Sequence, residues 1–389
     1  MAVRGWGAIA SAIGIAAGAG AAQLGLGYGL GIVTWSPSVG LAGEATWIAS
    51  LTWATWIGAT STVLGAVCAQ ALGAGRAPSP VAEDAPSRAS AFATALWRTA
   101  VALAAGVGAL VTVALVAVPA RDATRADTFS PQTIAAGYAV VGVVVGLVIA
   151  VWALVSRAGA TNVVATLAWL WLIAVLAVVH GALSGRGLTA AQLGVWEMTA
   201  DSERFWFRNY FYWPGAALAL GSALVIGALA AWPSARRSEN RVGAAISGGV
   251  GPLLVAAAYF LAAPRLAGIR GEQLSAHLMA PYAVIAGLAG SVLVTALVQR
   301  AQPSPAPQPG PAAVAPERDE PAPSPAAAQG DSAARTDQPA PVYSPSGPAQ
   351  SSGSPARGTA SVTTAVRSTE AGTAEAAKAG PRRPARRPH

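Results

Sequence analysis

Long apolar runs separated by short polar breaks occupy the chain as far as Val298, and from Pro303 onward they stop. Each run can cross a bilayer once as a helix, since about 20 apolar residues cover the roughly 30 Å of hydrocarbon. The runs are continuous rather than alternating, which predicts helices and not the strands of a membrane barrel. Eight spans are expected: Ala8 to Ile32, Thr46 to Leu72, Phe92 to Val118, Thr133 to Val155, Thr161 to Leu183, Pro214 to Trp232, Val242 to Ala263 and Leu278 to Val298. The expected fold is an all-α integral membrane protein, with a polytopic transmembrane domain over residues 1–300. A cleaved leader is the competing reading of the first run, because Arg4 precedes it and Gly18-Ala19-Gly20-Ala21-Ala22 offers small residues for processing. The run continues past Leu24 to Val33, longer than a leader core requires, which favours a retained helix.

The pattern also repeats. Arg98 opens a segment with Gly106-Val107-Gly108 and Leu110, and Arg241 opens another with Gly249-Val250-Gly251 and Leu253, 143 positions later. Farther on, Tyr138-Ala139-Val140-Val141 matches Tyr282-Ala283-Val284-Ile285, and the exit at Ser156-Arg157-Ala158 matches Gln299-Arg300-Ala301. The third and fourth spans therefore resemble the seventh and eighth. The simplest extension is a four-plus-four duplication, residues 1–158 and 159–301. An even number of crossings per unit makes it a parallel repeat. The first two spans of each half match poorly beyond their length.

Composition agrees with the membrane assignment: 53% of residues are hydrophobic, 11% are charged and mean hydropathy is +0.48. The formal charge of +8 does not make a nucleic-acid patch, because the arginines up to Arg300 sit almost entirely in the breaks between runs. With the N-terminus inside, Arg4, Arg76, Arg88, Arg157, the cluster Arg236, Arg237 and Arg241, and Arg300 share the cytoplasmic side. Arg121, Arg125, Arg186, Arg204, Arg208, Arg265 and Arg270 share the other, nearly balanced by acidic residues. Both termini are then cytoplasmic, and the Arg-, Ala- and Gly-rich usage suggests a GC-rich bacterial source and a plasma-membrane location.

From Gln302 to His389 the chain is rich in Pro, Ala and Ser with few large apolar side chains. Such a tail cannot bury enough surface to offset its ordering entropy, so it reads as disordered and cytoplasmic. Its end carries Arg382, Arg383, Arg386 and Arg387, a basic cluster suited to anionic lipid headgroups, each arginine contributing about 1 kcal/mol near the surface. A solvated tail without a partner is the alternative.

Catalytic patterns are missing. The three histidines, His180, His277 and His389, have no metal-binding spacing, His277 being placed ahead of the last span, and no G-x-S-x-G elbow occurs. Cys68 is alone, so neither a disulfide nor a thiolate metal site is expected, and no cofactor motif is present. Charges within the spans are scarce, which argues against a proton pump or voltage sensor and leaves a carrier of apolar or neutral molecules open. The second span is the most unusual. Thr52, Trp53, Thr55 and Trp56 put hydroxyls and indoles on neighbouring positions, either lining a pocket or bonding adjacent helices. The segment from Ser184 to Trp213 mixes aromatics with charges, which predicts an amphipathic helix lying at the interface. Its alternative is a lid in which Asp201, Glu203 and Arg204 meet a polar group. In the first span, Gly14/Gly18, Gly25/Gly29 and Gly27/Gly31 make G-x-x-x-G pairs, implying close helix packing within the chain or in a homo-oligomer. The leading function is transport or permeation, suggested by the repeat. The alternative is a membrane scaffold or sensor whose tail recruits partners.

Overall fold

Helix ends follow the polar breaks. The computed structural model describes residues 2–35, 41–74, 88–123, 130–185, 187, 191–197, 205–206, 210–237, 240–263 and 269–302, and among them eight helices are long and apolar enough to cross a membrane. The first four are α1 (Ala2–Gly29), α2 (Leu41–Ala74), α3 (Arg88–Ala117) and α4 (Pro131–Val155). They are followed by α5 (Arg157–Leu183) and α6 (Trp213–Arg236). The seventh span is interrupted, since α7 (Arg241–Ile246) passes through a 3-10 turn at Ser247–Gly249 into α8 (Val250–Ala262). The last is α9 (Gly271–Ala301). Pro131 and Pro214 occupy first-turn positions, where a missing N–H costs nothing. Ser156 alone separates α4 from α5, and its hydroxyl accepts from the Gly159 N–H at 3.1 Å. Asn240 caps α7 from a left-handed φ of 33°, accepting from the Gly243 N–H at 3.1 Å.

Two expectations need correcting. The last helix starts at Gly271 rather than Leu278, so His277, expected to precede it, is a buried residue of α9. Hydropathy marks where side chains turn apolar, whereas backbone hydrogen bonding carries the helix on through polar residues. The 184–213 segment was expected to hold an interfacial helix. Its described residues instead include strands β1 (Phe205–Trp206) and β2 (Phe211–Tyr212), paired antiparallel with Phe205 opposite Tyr212 and Trp206 opposite Phe211.

Helices α1 to α4 pack on one another, and α5, α6, α8 and α9 pack on one another. Contacts between the two sets run from α2 and α4 to α5 and α8. Hydrophobic burial cannot drive helices together in lipid, so backbones meet where side chains are smallest. Between α2 and α4, a Cβ at Gly142 would collide with the Thr55 carbonyl, and one at Gly146 would stand 2.5 Å from the Ala59 oxygen. Between α6 and α9, a Cβ at Gly227 would collide with the Gly287 carbonyl and one at Gly290 with that of Leu224. The α1 glycines behave differently. Gly14, Gly18, Gly25 and Gly29 have nothing within 4 Å of the Cβ position, so two of the three G-x-x-x-G pairs do not pack within their own chain.

Candidate functional site

A cleft opens inside the second set of helices, between α5, α6, α8 and α9, with about 770 Å³ of atom-free space, its opening included. Its α6 wall runs from Gly215 to Ile226 and its α9 wall from Glu272 to Ala283. At 1.5 Å rise per residue, each wall is about 16 Å deep, roughly half of a hydrocarbon layer about 30 Å thick. The lining is mainly apolar, with Leu170, Ile173, Leu218, Val255 and Met279 prominent. Thr166 and Ser222 supply sparse hydroxyls, and the Thr166 oxygen is buried with no hydrogen-bond partner. Past Ile226 and Ala283 the cleft ends, where Gly227, Gly248 and Gly287 bring the backbones of α6, the 3-10 turn and α9 into contact.

The mouth is polar. Leu193, Gly194 and Val195 form part of one wall, and their segment is pinned by two bonds, from the Trp53 indole N–H to the Ala191 carbonyl at 2.9 Å and from the Tyr259 hydroxyl to the Leu193 carbonyl, while the Gln192 N–H donates to Glu197 within it at 2.9 Å. Arg270 lies 3.6 Å from the Glu197 carboxylate. With the Gln192 amide oxygen turned to the guanidinium, it accepts from Arg270 Nε at 2.6 Å and Nη2 at 2.5 Å. The Tyr212 N–H donates to Ser275 Oγ at 2.8 Å, tying β2 to α9. Glu272 lines the mouth half-buried, and its carboxylate has no partner among the described residues. Beside this face, Gln273 and His277 are buried with Oε1 and Nδ1 unpaired. The His277 ring meets Phe260 edge-on at 4.6 Å.

A second polar cluster joins the two sets. Gln23 in α1 accepts at Oε1 from the Thr60 hydroxyl and the Trp171 indole N–H, each at 3.1 Å, and donates from Nε2 to Ser61 Oγ at 3.3 Å. The Trp171 ring packs against that of Trp53 at a tilt of 41°, with centroids 4.9 Å apart. Thr60 also donates to the Trp56 carbonyl, whereas the Trp171 N–H depends on Gln23. Gln23→Leu is therefore expected to cost about 1–2 kcal/mol, read as a lower thermal midpoint in detergent with altered tryptophan emission. An unchanged midpoint would remove this cluster from the packing account.

The interruption of the seventh span is also held by side chains. Pro252 has no N–H to give the Gly248 carbonyl, which would lie unpaired in hydrocarbon. Asn162 of α5 answers by donating from Nδ2 to that carbonyl at 3.4 Å and accepting from the Gly251 N–H at 2.8 Å. Ser291 of α9 accepts from the Gly248 N–H at 3.2 Å.

The residues singled out from sequence fall elsewhere. Thr52 donates to the Ile48 carbonyl at 2.8 Å, and Thr55 to those of Leu51 at 3.0 Å and Tyr138 at 3.3 Å. Trp53 and Trp56 are fully buried, and the Trp56 N–H has no partner. None of these four lines the cleft. Asp201, Glu203 and Arg204 lie outside the described residues, as do Arg382, Arg383, Arg386 and Arg387 with the whole tail beyond Gln302. Sequence reasoning missed Gln23, Asn162, Thr166 and Glu272. Gln23, Asn162 and Thr166 carried a signal, a polar residue inside an apolar run, while Glu272 lay ahead of the last predicted span. Comparison with protein-family models, with curated proteins and with solved structures found no match to this chain.

Proposed function

We propose that this chain is a transport-type protein of a bacterial plasma membrane, handling largely apolar molecules through the cleft of α5, α6, α8 and α9. The observation that carries the reading is the cleft itself, an apolar space half a membrane deep with a polar mouth at one end. A merely structural bundle has no use for it, since unfilled space between helices forfeits packing energy.

The reading includes a parallel four-plus-four duplication, supported by where the matched glycines point. A Cβ on Gly106 would meet Leu147 of α4, and one on Gly249 would meet Leu288 of α9. A Cβ on Gly108 would meet Ile13 of α1, and one on Gly251 would meet Thr166 of α5. Each glycine thus faces the helix holding the corresponding place in its own half. The halves then differ in content: the first is closed around Gly20, Gly65 and Gly108, and the second keeps its cleft. Both termini are assigned to the cytoplasm because Arg236, Arg237 and Arg241 flank one short connection, with the Arg236 guanidinium 4.6 Å above the Trp232 ring.

The test is flux of uncharged apolar dyes into proteoliposomes of the full chain. Uptake faster than in empty vesicles is expected, with loss of that excess in Ser222→Phe, which fills the cleft. A carrier also keeps its flux when residues 302–389 are removed. Rates equal to those of empty vesicles for every dye would overturn the transport reading.

A further inference from the structure

Resting on that reading of the cleft, we infer that its ligand is a single-chain amphiphile: one hydrocarbon chain along α6 and α9, and a cationic, hydrogen-bond-donating head at Glu272. Depth argues for the chain. A space about 16 Å deep, about half of a hydrocarbon layer of about 30 Å, takes one extended chain of about a dozen carbons. The walls are aliphatic and aromatic over most of that length, and the floor is shut by backbone contact at Gly227, Gly248 and Gly287, so a chain enters and ends there.

Charge argues for the head. Among the described residues, Glu272 is the ionised group that lines the cleft, and the paired Glu197 and Arg270 lie two residues along the chain from the lining residues Val195 and Glu272. Arg270 is engaged by Glu197 and by the Gln192 amide oxygen, so its charge is already answered. Glu272 lines the cleft, is half-buried, and has no partner among the described residues. Ser275 beside it holds the Tyr212 N–H and keeps its own proton. Among the described residues the unanswered charge at the mouth is negative, which selects an ammonium head over a carboxylate or phosphate.

The experiment uses the full chain in lipid nanodiscs and three photoactivatable probes with the diazirine at the end of the chain: dodecylamine, dodecanol and dodecanoic acid. The amine is expected to label peptides of α5, α6 and α9, with protection by excess unlabelled dodecylamine. The acid should label about ten-fold less, the size of one charge-assisted hydrogen bond lost or reversed. Glu272→Gln should reduce amine labelling to the level of the alcohol without changing the thermal midpoint, and Ser222→Phe should abolish labelling by all three. Equal labelling by amine and acid, or labelling spread over the lipid-facing sides of all helices without protection, would overturn the proposal. Protected labelling in a protein that moves no dye keeps the ligand and removes the transport reading. Dye flux without protected labelling does the reverse.

Discussion

Valine at Gly142 is expected to unfold the α2–α4 pair, while valine at Gly137 in the same helix leaves it intact. A Cβ at Gly142 falls on the Thr55 carbonyl, its carbon and its Cα, all backbone atoms with no rotamer to escape through. At Gly137 nothing lies within 4 Å. Overpacking usually costs about 1–3 kcal/mol, and a clash with backbone belongs at or above the upper end. Thr55 shares the damage, because its hydroxyl reaches the Tyr138 carbonyl only at the present helix separation. Gly142→Val should lower the thermal midpoint in detergent strongly or abolish folded yield, and Gly137→Val should match the parent. The same contrast holds between Gly290→Val, against the Leu224 carbonyl in the α6–α9 pair, and Gly221→Val, in open space. Equal midpoints for the crowded and open positions would sink this account of how the bundle is held.

Those glycines show what the sequence made legible. The eight spans were readable because a helix in hydrocarbon must be apolar over its whole crossing length, and that property is local. Gly106, Gly108, Gly249 and Gly251 stood out as a spaced pattern, although which helix each one faces depends on tertiary packing. The G-x-x-x-G pairs of α1 had the same local appearance. Gly14, Gly18, Gly25 and Gly29 nevertheless meet nothing among the described residues, while Gly142 and Gly146 of α4, four positions apart in the same way, carry a crossing. Spacing alone does not say which side of a helix has a neighbour. Likewise Thr52 and Thr55 looked like pocket residues from their chemistry, yet each returns its hydroxyl to a carbonyl one turn back, a common outlet for threonine in lipid. The cleft stayed hidden for a related reason. Its lining is built of residues such as Leu218, Val255 and Met279, indistinguishable in sequence from those that face lipid or fill a core.

The break in the seventh span yields the other large effect, and it connects packing to the cleft. Asn162→Leu is expected to cost about 2–4 kcal/mol, because it strands the Gly248 carbonyl and the Gly251 N–H away from water and each unpaired group costs about 1–3 kcal/mol. Pro252 is the reason those groups need a side chain. In Pro252→Ala the new N–H reaches the Gly248 carbonyl four residues back, so α7 and α8 can join into one continuous helix, as the intact α3 already does. The Gly251 N–H then finds the Ser247 carbonyl by the same rule. Asn162 should accordingly matter less once Pro252 is gone, and the pair should show a coupling of about 1–3 kcal/mol in a double-mutant cycle. Strict additivity of the two midpoint shifts would mean that Asn162 does not compensate for the proline. Pro252 also lines the floor of the cleft. Pro252→Ala by itself should therefore hold or raise the thermal midpoint while weakening protected dodecylamine labelling, the outcome expected where a destabilising residue is kept for the site it shapes. Unchanged labelling in a stabilised Pro252→Ala protein would reduce the interruption to a feature of packing alone.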